Sequence, residues 1–406
     1  MSAPAISGVA GEFPVVSSTG LAYLDSAATS QTPLVVIEAM DAYYREYRAS
    51  IHRGVYDLAT RATDAYEAAR VKVAALVNSS PGELIFTRNA TEAINLVAYS
   101  WGGANLREGD LVVVTEMEHH SNIVPWQLAA QRAGATLAYV GVDDEGLLEL
   151  DELDALLERG PKLVGVVHAS NVLGTINPVA EITRRAHDAG AVVMIDGSQA
   201  VPHLPVDVRE IDADFYAWTG HKMYGPTGIG LLHGRRSLLE EMPPFIGGGH
   251  MIARVSEQTS SYAEPPAKFE AGTGAVAEAI GLAAACDFLT GIGMDAVWEH
   301  DQQLAAYVLE RLPEVPGVTV HGPRDPAARV ALASFAVEGV HPHDVAEILG
   351  SQGVCVRAGH HCAQPLMRRL GVPASSRASF AIHSTREEVD RLVDALGRVR
   401  EVFQLD

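Results

Sequence analysis

The chain has 406 residues, 48% of them hydrophobic and 20% charged, enough to bury a large core and leave room for a second, smaller domain. Thirty Lys and Arg against 51 Asp and Glu give a formal charge of −21, which repels nucleic-acid phosphates and anionic membrane surfaces; no nucleic acid or membrane partner is expected, only small molecules and proteins. No apolar run reaches the length of a membrane span, and the opening MSAPAISGVAGEFP lacks a basic stretch followed by an apolar one, so a cytoplasmic protein is expected. Three scattered cysteines, Cys286, Cys355 and Cys362, make neither a disulfide framework nor a zinc cluster and read as free thiols.

In chain order, the first 20 residues carry no strong pattern and are expected to pack on the C-terminal part. From Gly82 to Gly234, seven β-rich runs alternate with helical stretches: ELIFTR, LVVVTEMEH, TLAYVGV, KLVGVVHAS, VVMIDGS, DFYAWTGH and GIGLLHG. That alternation reads as an α/β domain around a mostly parallel, buried seven-stranded sheet. Several runs pass directly into polar residues (RNATE, EMEHH, HASN, DGSQ, TGHK), and in open α/β sheets such strand ends line one crevice. After FIGGGHM and PPAKFEAGTG comes a helical stretch, AVAEAIGLAAACDFLTGIG. It leads into GVTVHG, VALASFAV, PHDVAEILGSQ, GVCVRAG and RASFAIHST, a smaller α+β domain. Thr385 and Glu388 have capping-box spacing at the start of the last helix. The expected division is 21–285 for the large domain and 286–406 for the small one.

Lys222 lies just past an apolar strand in a loop bounded by glycines, where a mobile amine can reach a ligand while the backbone stays fixed. A lone lysine there is most often a surface residue. Asp196 changes the balance, because it follows four apolar residues at a strand end and a buried carboxylate needs a cation or donors. A lysine for an aldehyde and an acid for a protonated pyridine nitrogen are together what pyridoxal 5'-phosphate requires. Thr91, in the first turn of a helix after a strand, offers a phosphate site, and Thr219 and His221 add donors beside the lysine. His119 and His120, read as an extension of their strand, point to opposite faces and do not share a metal, whereas one of them facing the crevice can stack on a flat ring.

These segments together, TGHK, DGSQAVPH, ATEAINLVA, EMEHHSNIVPW, HASNVLGT, EAGTG and RAGHHCAQPLM, resemble the group II (Suf-type) cysteine desulfurases, the selenocysteine lyase-like branch of the class V aminotransferases, from about Tyr23 to the C-terminus. The resemblance implies the fold type I architecture of pyridoxal phosphate-dependent transferases and a homodimer. It implies that Lys222 carries the cofactor, His119 stacks on its ring, Asp196 pairs with the ring nitrogen and Gln199 with the ring hydroxyl. Thr91, Thr219 and His221 would hold the phosphate, with Thr273 of EAGTG reaching in from the second subunit. Asn171, Arg377 and His52 would orient the substrate, L-cysteine, and Arg377 would clamp its carboxylate, a task suited to a planar guanidinium.

Arg357 would stand near the nucleophile, Cys362, which would receive the sulfur as a persulfide while alanine leaves. His360, His361 and Arg357 are expected to favour its thiolate, whereas Cys286 and Cys355 read as core residues. The HPHD segment resembles that of members whose sulfur acceptor is a zinc-containing, scaffold-like protein, with His343 engaging that partner in iron–sulfur cluster assembly or other sulfur trafficking. The same resemblance leaves open a selenocysteine lyase, a cysteine sulfinate desulfinase, a pathway-specific sulfur donor and a catalytically silent relay protein. Two departures, GAVAEAIG after EAGT and His383-Ser384-Thr385 after RASFAI, bear on the subunit contact and on substrate range.

Overall fold

The computed structural model describes residue 6 and residues 8–404; residues 1–5 and 7 of the patternless N-terminal segment lie outside the described residues. All seven runs expected to form the large sheet do so. They are β1 (Leu84–Thr87), β2 (Leu111–Thr115), β3 (Thr136–Val140), β4 (Leu163–Val167), β5 (Val192–Asp196), β6 (Phe215–Thr219) and β7 (Gly230–Gly234), in the order β1-β7-β6-β5-β4-β2-β3. Every pair is parallel except those made by β7, which runs antiparallel to β1 and β6. Strands β2, β4 and β6 are buried along their whole length, as unbroken apolar runs covered on both faces must be.

Parallel strands deliver their carboxyl ends to one edge of the sheet, and the reversal at β7 brings its first residue to that same edge. Gly230 is in register with Thr219 on one side and Thr87 on the other. Helix Ala90–Asn105 starts against this point, capped by the Asn89 side chain, which accepts from the Glu92 N–H at 2.9 Å. A Cβ at position 230 would lie 2.2 Å from the Asn89 backbone, so only glycine lets the helix start approach so closely.

The smaller sheet contains β8 (Val318–His321), β9 (Leu332–Val337), β10 (Arg357–Gly359) and β11 (Ser375–Ser379), antiparallel in the order β8-β9-β11-β10. Helix Arg386–Phe403 begins with the expected capping box: Thr385 Oγ1 accepts from the Glu388 N–H and Glu388 Oε2 from the Thr385 N–H. The N-terminal segment touches both parts. Phe13 packs edge-on against Tyr224 and His383, and Ala22–Tyr23 pairs in parallel with Val354–Cys355. Helix Val276–Ile292 runs across position 285 and packs on helices Leu34–Ala42 and Asp57–Leu76. Among the described residues no single helix is long and apolar enough to cross a membrane.

One buried ion pair fixes the segment that carries Thr273. Arg70 meets Glu270 through two bonds of 2.7 and 2.8 Å, while Glu270 Oε1 also accepts from the Phe86 N–H of β1 at 2.8 Å. Arg70 adds a bond to the Leu84 carbonyl at 3.0 Å, so helix Asp57–Leu76, β1 and the 264–274 segment are held by one network. Removing Glu270 leaves the buried Arg70 with only the half-exposed Glu67, 3.2 Å from its Nε, and the Phe86 N–H without its acceptor, which is costlier than replacing both charges. Glu270→Ala is therefore expected to lower unfolding stability by about 3–5 kcal/mol, with Arg70→Met/Glu270→Leu losing less; guanidinium unfolding of the three proteins checks the order.

Candidate active site

At the carboxyl edge of the large sheet, where the small sheet closes over it, lies a cavity of about 230 Å³. Ten of the expected site residues line it: Thr91, His119, Asn171, Asp196, Thr219, His221, Lys222, Arg357, Cys362 and Arg377. The large sheet supplies Asp196 from the end of β5, Thr219 from the end of β6, and Lys222 from the 3-10 turn Gly220–Lys222 that follows. The small sheet supplies Arg357 from β10 and Arg377 from β11.

Burial lowers the pKa of Lys222 to about 8; Asp196 opposes the shift, and Arg377 and Arg357 add to it. An amine so tuned is present as free base in a substantial fraction slightly above neutrality, which a surface lysine is not. Asp196 is 3% exposed and accepts from the Ser198 N–H through Oδ1 at 3.0 Å, leaving its other oxygen for a further donor. His119 accepts from the Ser121 N–H at Nδ1, 3.1 Å, and meets Ser121 Oγ at 2.7 Å. Burial first, and Lys222 next, lower its pKa to about 4, so its imidazole is neutral at physiological pH and suited to lie against an aromatic ring. His221 is likewise lowered to about 4, by burial and then Lys222, and contacts Thr29 Oγ1 at 3.1 Å through Nδ1.

Next to His119 in the chain, the carboxyl group of Glu118 is wholly buried and accepts from Thr115 Oγ1, Asn122 Nδ2 and the Val167 N–H, each at 2.7 Å. It ties β2, the turn after it and β4 into one unit. Burial still pushes its pKa up to about 8 against those donors.

The residues present fit pyridoxal phosphate. Thr219 Oγ1 and Asn171 Oδ1 are buried in the cavity wall without a hydrogen-bond partner, a state that protein interiors rarely leave uncorrected when nothing else binds. Thr219 stands beside the start of helix Ala90–Asn105, whose first N–H groups form an anion site. Amine, acid, neutral imidazole and phosphate cradle thus surround one space.

Cys362 follows His361 in an unusual turn, both residues having left-handed backbones with φ of +56° and +51°. For residues with a Cβ that conformation costs roughly 1–2 kcal/mol each, and the large-sheet side supplies the restraints. Asn171 Nδ2 donates to the His361 carbonyl and the His120 N–H to the Cys362 carbonyl, each at 2.7 Å. His361 Nε2 lies 3.0 Å from Ser375 Oγ. Arg377, 2% exposed, donates to the Asn171 carbonyl at 2.8 Å and to Asp25 Oδ1 at 3.1 Å, with its Nε buried and unpartnered.

Several expectations change. His119 and His120 do not extend β2; His119 caps the 3-10 turn His120–Asn122, and the two rings tilt at 45° with centroids 6.3 Å apart. His361 supplies no cation to Cys362, because burial, then Arg377, lowers its pKa to about 3. Cys355 is half-buried rather than core, while Cys286 is buried as expected. All three cysteines are free. Gln199 lies behind the wall, its Nε2 donating to the Ala27 carbonyl at 2.8 Å. Thr273 and His52 do not reach the lysine cavity of their own chain; they line another, of about 250 Å³, with Glu270 and His250. His343 lines a third, of about 490 Å³, with His120, His341 and His360, and this one shares Arg357, His361 and Cys362 with the lysine cavity. Asp25, Glu118 and Ser121 escaped the sequence reading. Asp25, in LDSAATS, has no sequence neighbour among the residues it serves, whereas Ser121 stood two residues from His119 and was open to being read as its partner.

The Aminotransferase class-V family matches residues 22–392. A probable cysteine desulfurase of Halalkalibacterium halodurans is 51% identical over 396 residues, covering 96% of this chain and 97% of the relative. Among solved structures, the apo cysteine desulfurase of Thermococcus onnurineus superposes with a TM-score of 0.94 at 40% identity, covering 99% of both chains. The Escherichia coli cysteine desulfurase CsdA, in an S-sulfonic acid form, gives 0.92 at 39%, covering 99% of this chain and 100% of its own. A chain matched along nearly its whole length in sequence and in fold, with the lysine, acid and cysteine around one cavity, belongs to the class-V aminotransferase family and, within it, to the cysteine desulfurases.

Proposed function

We propose that the protein is a pyridoxal phosphate-dependent cysteine desulfurase that moves the sulfur of L-cysteine onto Cys362. The single observation that carries this is the meeting of Lys222, Asp196 and Cys362 on one cavity, contributed by separate elements of the fold. Pyridoxal phosphate in that cavity supplies a sink for the electrons of the substrate Cα–H bond. Lys222 would provide the amine that holds the cofactor's aldehyde and a base beside it. Asp196 would keep the ring nitrogen protonated, and His119, a neutral imidazole, would stack on the ring. Thr91, Thr219, His221 and the helix start at Ala90 would hold the phosphate, and Gln199 would pair with the ring hydroxyl from behind the wall. Arg377 binds the substrate carboxylate with its spare donors; Asn171 and Arg357 orient the remainder.

The Cys362 thiolate then attacks the substrate sulfur. An S–S bond forms as the C–S bond breaks, the bonding pair goes to carbon, and proton return completes alanine. Cysteine and one enzyme thiol become alanine and one enzyme persulfide, with no external oxidant.

A homodimer belongs to the same reading. Thr273 and His52 share a cavity that the lysine does not enter, so a second copy is needed to bring them to it, and exposed Val55, Tyr56 and Leu58 beside His52 offer apolar surface for that contact. The acceptor is a zinc-containing protein docking at the histidine-lined cavity that shares Cys362, where His343 engages the acceptor's zinc ion. A reducing cytoplasm keeps the Cys362 thiol available.

With the pyridoxal-loaded protein, alanine release from L-cysteine should fall by at least about 100-fold in Cys362→Ala, which has no sulfur nucleophile. Persisting release in that variant, or faster turnover of selenocysteine or cysteine sulfinate than of cysteine, would reassign the substrate. Only the neutral form of Lys222 condenses with an aldehyde, so uptake of pyridoxal phosphate by the apoprotein should accelerate as pH rises through about 8, not 10; absorbance stopped-flow across that range checks it. His343→Ala is expected to slow persulfide transfer to a zinc-containing acceptor about tenfold or more while leaving alanine release with a small-molecule reductant unchanged.

A further inference from the structure

We infer that His120 is a positioning residue for the nucleophile, holding the Cys362 turn through a bracket of two hydrogen bonds. The inference rests on Cys362 being the sulfur acceptor. The His120 N–H donates to the Cys362 carbonyl at 2.7 Å, and its Nε2 accepts from the Gln364 N–H at 3.0 Å. One residue of the large-sheet side therefore grips the small-sheet loop on both sides of Ala363.

The second of these bonds meets a local need. Gln364 opens the short helix Gln364–Arg369, and the cap position before it is Ala363, which has no side-chain acceptor to offer the first free N–H groups. His120 supplies that acceptor from 244 positions away in the chain. The turn has reason to need holding, because His361 and Cys362 both occupy the left-handed region that side chains disfavour. The Asn171 amide fixes the His361 carbonyl, and Ala363 closes the turn by donating to the His360 carbonyl at 2.9 Å. Beyond the turn, Ala363 and Leu366 are buried and the Met367 N–H donates to the Ala363 carbonyl, so the helix stays seated and the Gln364 N–H is the group at its start that His120 serves. Without the Nε2 acceptor the turn can shift and move Sγ out of line with the substrate sulfur, a displacement to which attack geometry is sensitive.

His120 also adjoins His119, so the ring face of the cofactor site and the grip on the thiol are set by consecutive residues. The backbone donor survives any substitution; the ring acceptor does not. This makes the side-chain contribution separable.

The test uses holoenzyme of the parent, His120→Ala, His120→Gln and His120→Phe, the last keeping a flat ring but no acceptor. The readouts are the single-turnover rate of persulfide formation on the Cys362 peptide by mass spectrometry, the KM for L-cysteine, and the rate of Cys362 alkylation by iodoacetamide. We expect persulfide formation to fall about tenfold in His120→Ala and in His120→Phe, with KM unchanged, an altered alkylation rate, and most of the loss recovered in His120→Gln, whose amide oxygen can accept. Parent-like persulfide rates in His120→Ala or His120→Phe, or a Gln variant as slow as Ala, would overturn the assignment. If His120→Ala does not fold, His120→Phe and His120→Gln decide the question. Cys362→Ala run beside them separates the two failures, since alanine release that persists there removes the acceptor role itself.

Discussion

Two hydrogen bonds of 2.7 Å, from Asn171 Nδ2 to the His361 carbonyl and from the His120 N–H to the Cys362 carbonyl, join the halves of this molecule where its chemistry takes place. Everything reactive depends on that seam. The lysine and the acid sit at the carboxyl edge of the parallel sheet, and the thiol and the buried Arg377 come from the smaller sheet and the turn after its strand β10. Neither group is a site by itself. The seam also explains why a turn with two left-handed residues persists: its own dihedrals oppose it, and contacts from elsewhere in the fold hold it in place.

The electrostatics follow from the same enclosure. Burial withdraws water from Lys222, His119 and His221 together and pushes each toward its neutral form. Two arginines reinforce the effect on the lysine, and one carboxylate, Asp196, moderates it. Arg377 shows the opposite strategy. Burial lowers its pKa only to about 10, so it stays a cation at physiological pH, with Asp25 and a backbone carbonyl occupying part of its donor set. The cavity thus holds neutral imidazoles and an amine poised near its own titration beside a permanent cation, an arrangement suited to an amino-acid zwitterion whose proton must move while its carboxylate stays fixed.

The large sheet was legible because parallel strands buried on both faces leave unbroken apolar runs, and all seven runs became strands. The capping box at Thr385 is a local pattern and was equally legible. Lys222, Asp196 and Cys362 stood out since each combines a reactive group with a strand end or a short motif. What escaped was long-range or conformational. Asp25 meets Arg377 across 352 positions, and Arg70 meets Glu270 across 200; neither pairing leaves any spacing to read. The histidine pair was misplaced because an apolar run gives no sign of where a strand stops, and Thr115 ends it four residues before His119. The neutrality of His361 follows from burial, whereas its place beside Arg357, His360 and a reactive thiol had suggested a cation.

Cys362 lines two adjoining cavities, one reaching Lys222 and the other lined by His341 and His343, and Arg357 and His361 are common to both. A side chain at such a junction is open to approach from two directions, one past the buried lysine and acid and one past a surface of histidines, so what happens on one side of it need not obstruct access from the other.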